Sequence, residues 1–226
     1  MKPILLFSGG IDSYVAWHFL DKPQTVYFNL RSRYSAKEMV VVQRLIPSTI
    51  IENTINLGSR EVGENAYVPF RNLHLALLAT KYSDTIIIAG LKDDMVDDKN
   101  EDIFKDFSYL MSKMMGRSIQ VISPFWNKTK EQVVKWYLDN GGAPYDLLNT
   151  VSCYSSSSNI YCGKCPACFR KYVALKVNGI DAGLSFHNDA LMKEYLIKAI
   201  AGNHYVSERN EAILKVVLRD HPEWRS

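Results

Sequence analysis

No apolar run in this sequence reaches the roughly 18 residues that a membrane-spanning helix needs, and no stretch at its start has the form of a secretory leader. The expectation is a cytoplasmic protein without a membrane partner. Charge of one sign is also missing: 27 basic residues stand against 24 acidic ones, a formal balance of +3. So even a balance does not announce nucleic acid, and direct nucleic-acid binding is not expected. Cysteine is scarce, with four residues all between positions 153 and 168, so whatever they do is done in one place. The glycine turn near the start is not followed by Gly-Lys-Ser/Thr, which excludes a Walker P-loop.

What is present suffices for a substantial core. A chain of 226 residues, 47% of them hydrophobic, should bury roughly 70% of its unfolded surface without a second core. Strand signals alternate with helix signals. Ile4 to Phe7 reads as a strand, Tyr14 to Leu20 as a helix, Thr25 to Asn29 as a strand and Ser35 to Leu45 as a helix. A short third strand falls between Ile46 and Leu57. Asn72 is placed to cap a helix over Leu73 to Tyr82, and Thr85 to Ala89 is the clearest buried strand. A helix through Phe104, Phe107, Leu110, Met111 and Met114 follows, then a strand over Ile119 to Ile122. Thr129 with Gln132 forms a capping box for a helix that runs to Asn140. The alternation predicts an α/β fold with a doubly wound parallel sheet, whose ligands gather at the carboxyl ends of the strands. Two more helices are expected near Asp189 to Ala201 and Ser207 to Arg219.

The most informative stretch is Ser8-Gly9-Gly10-Ile11-Asp12-Ser13, set between the first strand and the first helix. Two glycines let the backbone turn tightly and approach a ligand, and the first amides of the following helix lack partners within it. A phosphate fits such a turn. Ser8 and Ser13 could donate to phosphate oxygens, and Asp12 could hold the Mg2+ that accompanies a nucleotide. An ordinary strand-to-helix turn is the plain alternative. Arg31 and Arg33, just past the second strand, would suit phosphate or carboxylate, or sit on a solvated loop.

Asp93, Asp94, Asp97, Asp98, Glu101 and Asp102 crowd six carboxylates beyond the Thr85 to Ala89 strand. They either stand in water or meet cations: Mg2+, ammonium or the amino-imino edge of a purine-like base. Cys153, Cys162, Cys165 and Cys168, with Gly163 and Pro166 as turn formers, suit tetrahedral thiolate coordination of Zn2+. A shell filled by four sulfurs makes that metal structural. Disulfides, a redox pair or an iron-sulfur cluster are the alternatives.

The Ser-Gly-Gly-x-Asp-Ser pattern resembles the PP-loop of ATP pyrophosphatases of the adenine-nucleotide alpha-hydrolase type. With Val68-Pro69-Phe70-Arg71-Asn72, Ser123-Pro124-Phe125 with Lys128 and Lys130-Glu131, and the block from Ser152 through Cys168 to Arg170, the chain resembles the 7-cyano-7-deazaguanine synthase family, usually called QueC. That resemblance implies conversion of 7-carboxy-7-deazaguanine and ammonia to the nitrile through an adenylated acid and an amide, with ATP, Mg2+ and a structural Zn2+. It implies ATP held by Phe7, Ser8, Gly9, Gly10, Ile11, Asp12 and Ser13, catalysis carried by Asp12, Ser13 and Arg71, and substrate bound by Arg33, Arg71, Asn72, Asp102 and Lys128.

Departures lie on the substrate side. Leu30-Arg31-Ser32-Arg33-Tyr34 keeps only the arginine of the family's aromatic-Asn/Gly-Gln-Arg-His block, and Asn100 to Phe104 keeps only Asp102 of Tyr-Pro-Asp-Cys-Arg. A relative adenylating another carboxyl or amide, for example a protein terminus in a defence system, is the second reading, and a tRNA-thiolating enzyme the third. The chain is expected to divide into a nucleotide-binding core over 1–145 and a segment over 146–226 that holds the cysteines and the C-terminal helices, packed on that core. Those helices could be a cap, a homodimer contact or extra core.

Overall fold

Uninterrupted apolar runs near the start of the chain form the middle of a parallel sheet, because only strands covered on both faces can be apolar throughout. The computed structural model describes residues 2–63, 67–155, 159–181 and 183–225. Its elements are β1 (Ile4–Leu6), α1 (Ile11–Phe19), β2 (Gln24–Phe28), α2 (Ser35–Leu45), β3 (Ile50–Glu52), α3 (Arg71–Ala79), β4 (Thr85–Ile87), α4 (Glu101–Met115), β5 (Gln120–Ile122), α5 (Lys130–Asp139), α6 (Pro144–Leu148), α7 (Pro166–Val177), α8 (Asp189–Ala201) and α9 (Ser207–Asp220). The strands lie in the order β3-β2-β1-β4-β5, all parallel, with Leu5 level with Thr25 on one side and Ile87 on the other.

Alternation along the strands divides the core in two. Leu5, Phe7, Tyr27 and Ile87 face a cluster closed by Ile11 and Val15 of α1, Val42 of α2, Val133 and Val134 of α5, and Ala174 and Leu175 of α7. Ile4, Leu6, Val26, Phe28 and Ile86 face the other, closed by Ala76 and Ala79 of α3 and Phe104, Phe107 and Met111 of α4. A third cluster joins Cys153, Cys168, Phe169 and Tyr172 to Met192 and Leu196 of α8 and Ile213 and Val217 of α9. Because α7 contributes to both the first and the third, the C-terminal helices are anchored to the sheet through it. No helix among the described residues is long and apolar enough to cross a membrane.

The sheet reverses its strand order between β1 and β4, and in open α/β sheets the crevice beyond such a switch point is where ligands bind. The predicted parallel, doubly wound architecture is the one observed. Two local readings change. Asn72 does not cap α3: the cap is Phe70, in the left-handed region at φ 55°, and Asn72 lies inside the first turn, buried against Asp98. The helix α4 runs through the expected residues, with Phe104, Phe107 and Met111 on its buried stripe and Leu110 and Met114, 47% and 74% exposed, beside it. The helix α7 has no counterpart among the predicted elements, because it is buried almost all round and carries no amphipathic period.

Candidate active site

The turn between β1 and α1 is built as an anion cradle. Gly9 takes φ +73°, and a Cβ there would stand 3.0 Å from Val41 Cγ1, so both conformation and space call for glycine. Gly10 is the extended N-cap of α1 and no side chain caps the helix, which leaves its first amides available. Ser13 Oγ donates to Gly10 O at 3.1 Å, and Ser8 Oγ lies 3.4 Å from Ser13 Oγ. From below, Val151 N donates to Gly9 O at 2.8 Å. The segment before Val151 is itself tied down: buried Lys171 donates to Leu148 O at 3.1 Å, Thr150 O at 2.7 Å and Thr150 Oγ1 at 3.1 Å. Burial lowers the Lys171 pKa to about 7, while the three acceptors favour its ammonium form.

Beyond this turn opens a cavity of about 250 Å³, reaching from Ser8, Gly10, Asp12 and Ser13 to Glu38 of α2, Arg71 and Asn72 of α3, Lys130 of α5 and Arg170 of α7. Phe7 lines it too, whereas Ile11 is fully buried in the core. Arg71 and Asn72 therefore line the same cavity as the glycine turn. Three other expected substrate residues do not line this cavity. Arg33 pairs with Glu61 at 2.6 Å and donates to Gly63 O at 3.1 Å. Asp102 stands 91% exposed at the start of α4, 3.2 Å from Lys105. Lys128 also lies outside the lining residues.

Several residues that line the cavity carry charge which the sequence did not assign to the site. Lys130, at the start of α5, is 2.5 Å from Asp12 Oδ1. Arg170 reaches Asp93 at 3.0 Å and Asp94 at 3.3 Å, and Lys99 reaches Asp94 at 2.8 Å. Burial alone would raise the Asp94 carboxyl, but Lys99 and Arg170 outweigh it and hold it well below the usual carboxylate range. The acidic stretch has thus divided: Asp93 and Asp94 meet cations, Asp98 accepts from Asn72 N at 3.0 Å and Nδ2 at 2.8 Å, and Asp97, Glu101 and Asp102 face water. Glu38 accepts from Tyr27 Oη at 3.0 Å, and burial raises its pKa to about 7 against the opposing pull of that bond and of Arg71 and Lys37. The uncapped amides of the glycine turn, with Lys130 beside them, can hold phosphate at one end of a cavity whose lining is partly apolar.

The four cysteines converge. Their sulfurs all lie within 4.8 Å of one another, and Cys162 Sγ is 3.8 Å from Cys168 Sγ. A tetrahedral ion with metal-sulfur bonds of about 2.3 Å would set its sulfurs about 3.8 Å apart. The cluster can therefore hold a metal ion, with Cys165 also capping α7 by accepting from Cys168 N. Cys153 lines the cavity as well, so the cluster sits against its wall.

Comparison with known proteins identifies a family for the chain. The family described as "Queuosine biosynthesis protein QueC" matches residues 24–179. The chain is 26% identical over 225 residues to a 7-cyano-7-deazaguanine synthase 2 from Sulfurisphaera tokodaii, covering 83% of this chain and 48% of that protein. It is 28% identical over 216 residues to the 7-cyano-7-deazaguanine synthase of Sulfolobus acidocaldarius, covering 78% of this chain and 46% of that protein. With the Rickettsia felis 7-cyano-7-deazaguanine synthase it shares 26% over 227 residues, 82% of this chain and 99% of that protein. The chain spans about half the length of the first two relatives and nearly all of the third.

Proposed function

The chain belongs to the QueC family of queuosine biosynthesis proteins, and from that premise we propose that it uses ATP to convert 7-carboxy-7-deazaguanine and ammonia to 7-cyano-7-deazaguanine. The observation that carries this reading is the juxtaposition of an uncapped glycine turn at the head of α1 with Lys130, Arg170 and Arg71 around one cavity. A carboxylate oxygen is a poor leaving group and AMP a good one. Attack of the substrate carboxylate on the ATP α-phosphorus releases pyrophosphate, and ammonia then displaces AMP to give the amide. A second ATP activates the amide oxygen in the same way, and loss of AMP with two protons from nitrogen leaves the nitrile. The amides of Gly10 and Ile11, with Ser8, Ser13 and Lys130, would bind the phosphates and take up charge as it moves onto the departing pyrophosphate. Asp12, whose second carboxylate oxygen has no hydrogen-bond partner among the described residues, would take the Mg2+ that accompanies ATP. Zn2+ in the four-cysteine cluster would act as a fixed crosslink and do no chemistry.

The test is incubation of the purified chain with ATP, Mg2+, ammonium and 7-carboxy-7-deazaguanine, with products identified by mass spectrometry. AMP, pyrophosphate, amide and nitrile are expected, and Asp12→Ala should form none of them. ADP and phosphate as products would overturn the α-phosphate assignment. A second reading, adenylation of a different carboxyl or amide, draws on the placement of Arg33, Asp102 and Lys128 outside the cavity. ATP binding with neither amide nor nitrile formed would select it.

A further inference from the structure

Most of the charge around the cavity is already spent. Asp12 is paired with Lys130, and Asp94 with Lys99 and Arg170. The two remaining charged residues of the lining, Glu38 and Arg71, make no direct ion pair with any described residue, although each feels the other's charge. Each is also short of hydrogen bonds. Glu38 Oε2 accepts only from Tyr27 Oη, and Oε1 accepts from nothing described. Arg71 donates one of its five guanidinium hydrogens, from Nη1 to Tyr34 Oη at 3.3 Å. A buried carboxyl and a buried guanidinium with hydrogen-bonding capacity left unused, in the lining of one pocket, are costly to keep unless a ligand completes them.

The completing ligand must present hydrogen-bond donors to a carboxylate and, next to them, an acceptor to a guanidinium. The six-membered ring of a guanine-type base has that sequence along one edge: an exocyclic amine, a ring N–H and a carbonyl oxygen. We propose, on the deazaguanine reading given above, that Glu38 and Arg71 read this edge. The Glu38 carboxylate accepts from the exocyclic amine and the ring N–H, and Arg71 donates to the carbonyl oxygen. Tyr34 and Tyr154, whose ring centroids lie 6.0 Å apart, and Leu30 and Leu75 supply the walls for the flat ring. Two ring donors also favour the ionised form of Glu38, which burial otherwise disfavours. The role that the sequence offered to Asp102 passes to a residue inside the cavity.

The test measures steady-state kinetics of the full chain with ATP, Mg2+, ammonium and two acceptors, 7-carboxy-7-deazaguanine and its analogue lacking the 2-amino group. Wild type should prefer the first by on the order of 100-fold or more, since a site built to bond a donor rejects a ligand that lacks it. Glu38→Gln should raise KM for 7-carboxy-7-deazaguanine about 100-fold, keep KM for ATP within about 3-fold, and lose most of the preference between the two acceptors. Arg71→Lys is the second variant, and should raise acceptor KM while preserving the preference for the 2-amino group. If Glu38→Gln raises KM for ATP instead, the pair reads the adenine and the proposal fails. It fails equally if the variant discriminates the analogue as wild type does. Should wild type turn over neither acceptor, the functional reading itself falls and takes this assignment with it; turnover by wild type with an unaffected Glu38→Gln refutes this assignment alone.

Discussion

Replacing Arg209 of α9 by Met tests whether the C-terminal helices brace the wall of the cavity. Asp93 is only 2% exposed at its side chain, and its Oδ2 is shared between Arg170 at 3.0 Å and Arg209 at 3.7 Å, while Oδ1 has no hydrogen-bond partner. Arg209 Nη1 also donates to Asp93 O at 3.3 Å, and its guanidinium lies 3.9 Å from the centre of the Tyr205 ring. Met keeps the stem and removes the head. A hydrogen bond from a charged donor contributes roughly 1.5–3 kcal/mol, and a partly desolvated cation-π contact about 1 kcal/mol. Breaking a buried ion pair costs roughly 3–5 kcal/mol when it leaves a charge alone, but here Arg170 stays on Asp93, so that figure does not apply in full. Against these losses stands the release of a guanidinium whose charge is disfavoured by burial and by the nearby Arg170. The net expectation is a destabilisation of about 2 kcal/mol, or a fall in Tm of about 4–8 °C for a chain of this size. Thermal and urea unfolding of the purified variant measure it. Combined with Asp93→Asn, the loss should be less than additive by about 1 kcal/mol, because both changes remove one network. Unchanged or increased stability, or strict additivity, would refute the reasoning and show that the tail packs on α7 without bracing Asp93.

Two further outcomes concern folding. Cys162→Ser should lose the metal and most of the soluble protein, because a site absent from the unfolded chain adds its binding free energy to folding; elemental analysis near one zinc per wild-type chain is expected, and a metal-free, fully folded wild type would contradict it. Gly58→Ala places a Cβ 2.0 Å from the backbone oxygen of Arg31, a contact no rotamer can relieve, and should cost about 3 kcal/mol, whereas Gly63→Ala, with φ +70° and nothing within 4 Å, should cost only about 1 kcal/mol; thermal melting of the pair decides whether the backbone contact is the cause.

The fold was legible where a single element carries its own signal. The helix α2 spans Ser35–Leu45 as its spacing predicts, α5 starts at the capping box of Thr129 and Gln132, and β1 and β2 follow their apolar runs. Legibility failed where tertiary context overrides local pattern. Asn72 has the composition of a cap, but the carboxylate of Asp98, 26 residues away, takes both its backbone and side-chain donors and draws it inside the helix. Buried on nearly every side, α7 contains Lys171 as well as Phe169 and Leu175, and such a mixture shows neither an apolar stripe nor an uninterrupted run.

The glycine turn and the convergence of the cysteines were legible in the sequence, whereas of the five substrate residues it offered only Arg71 and Asn72 line the cavity, and the difference has a physical cause. Glycine turns and cysteine spacings are local, so the chemistry is written within a few consecutive residues. The proposed acceptor site rests on charges that remain without an ion pair after the chain has folded, and pairing is decided at a distance: Lys130 finds Asp12 across 118 positions and Arg209 finds Asp93 across 116. Of six carboxylates between Asp93 and Asp102, the sequence marked all as candidates, yet Asp93 and Asp94 are neutralised by cations, Asp98 is spent on Asn72, and Asp102 stands in water. Glu38 drew no notice because, on α2, it reads as an ordinary polar residue of an amphipathic helix. Only the subtraction of every ion-paired charge in the lining leaves it and Arg71, the pair proposed to read the acceptor. The altered loop Leu30 to Tyr34 is consistent with that outcome, since Arg33 turns outward to Glu61 and Tyr34 turns inward to Arg71. On the proposed reading, specificity on this side of the cavity rests on side chains that the loop positions more than on the loop's own charges.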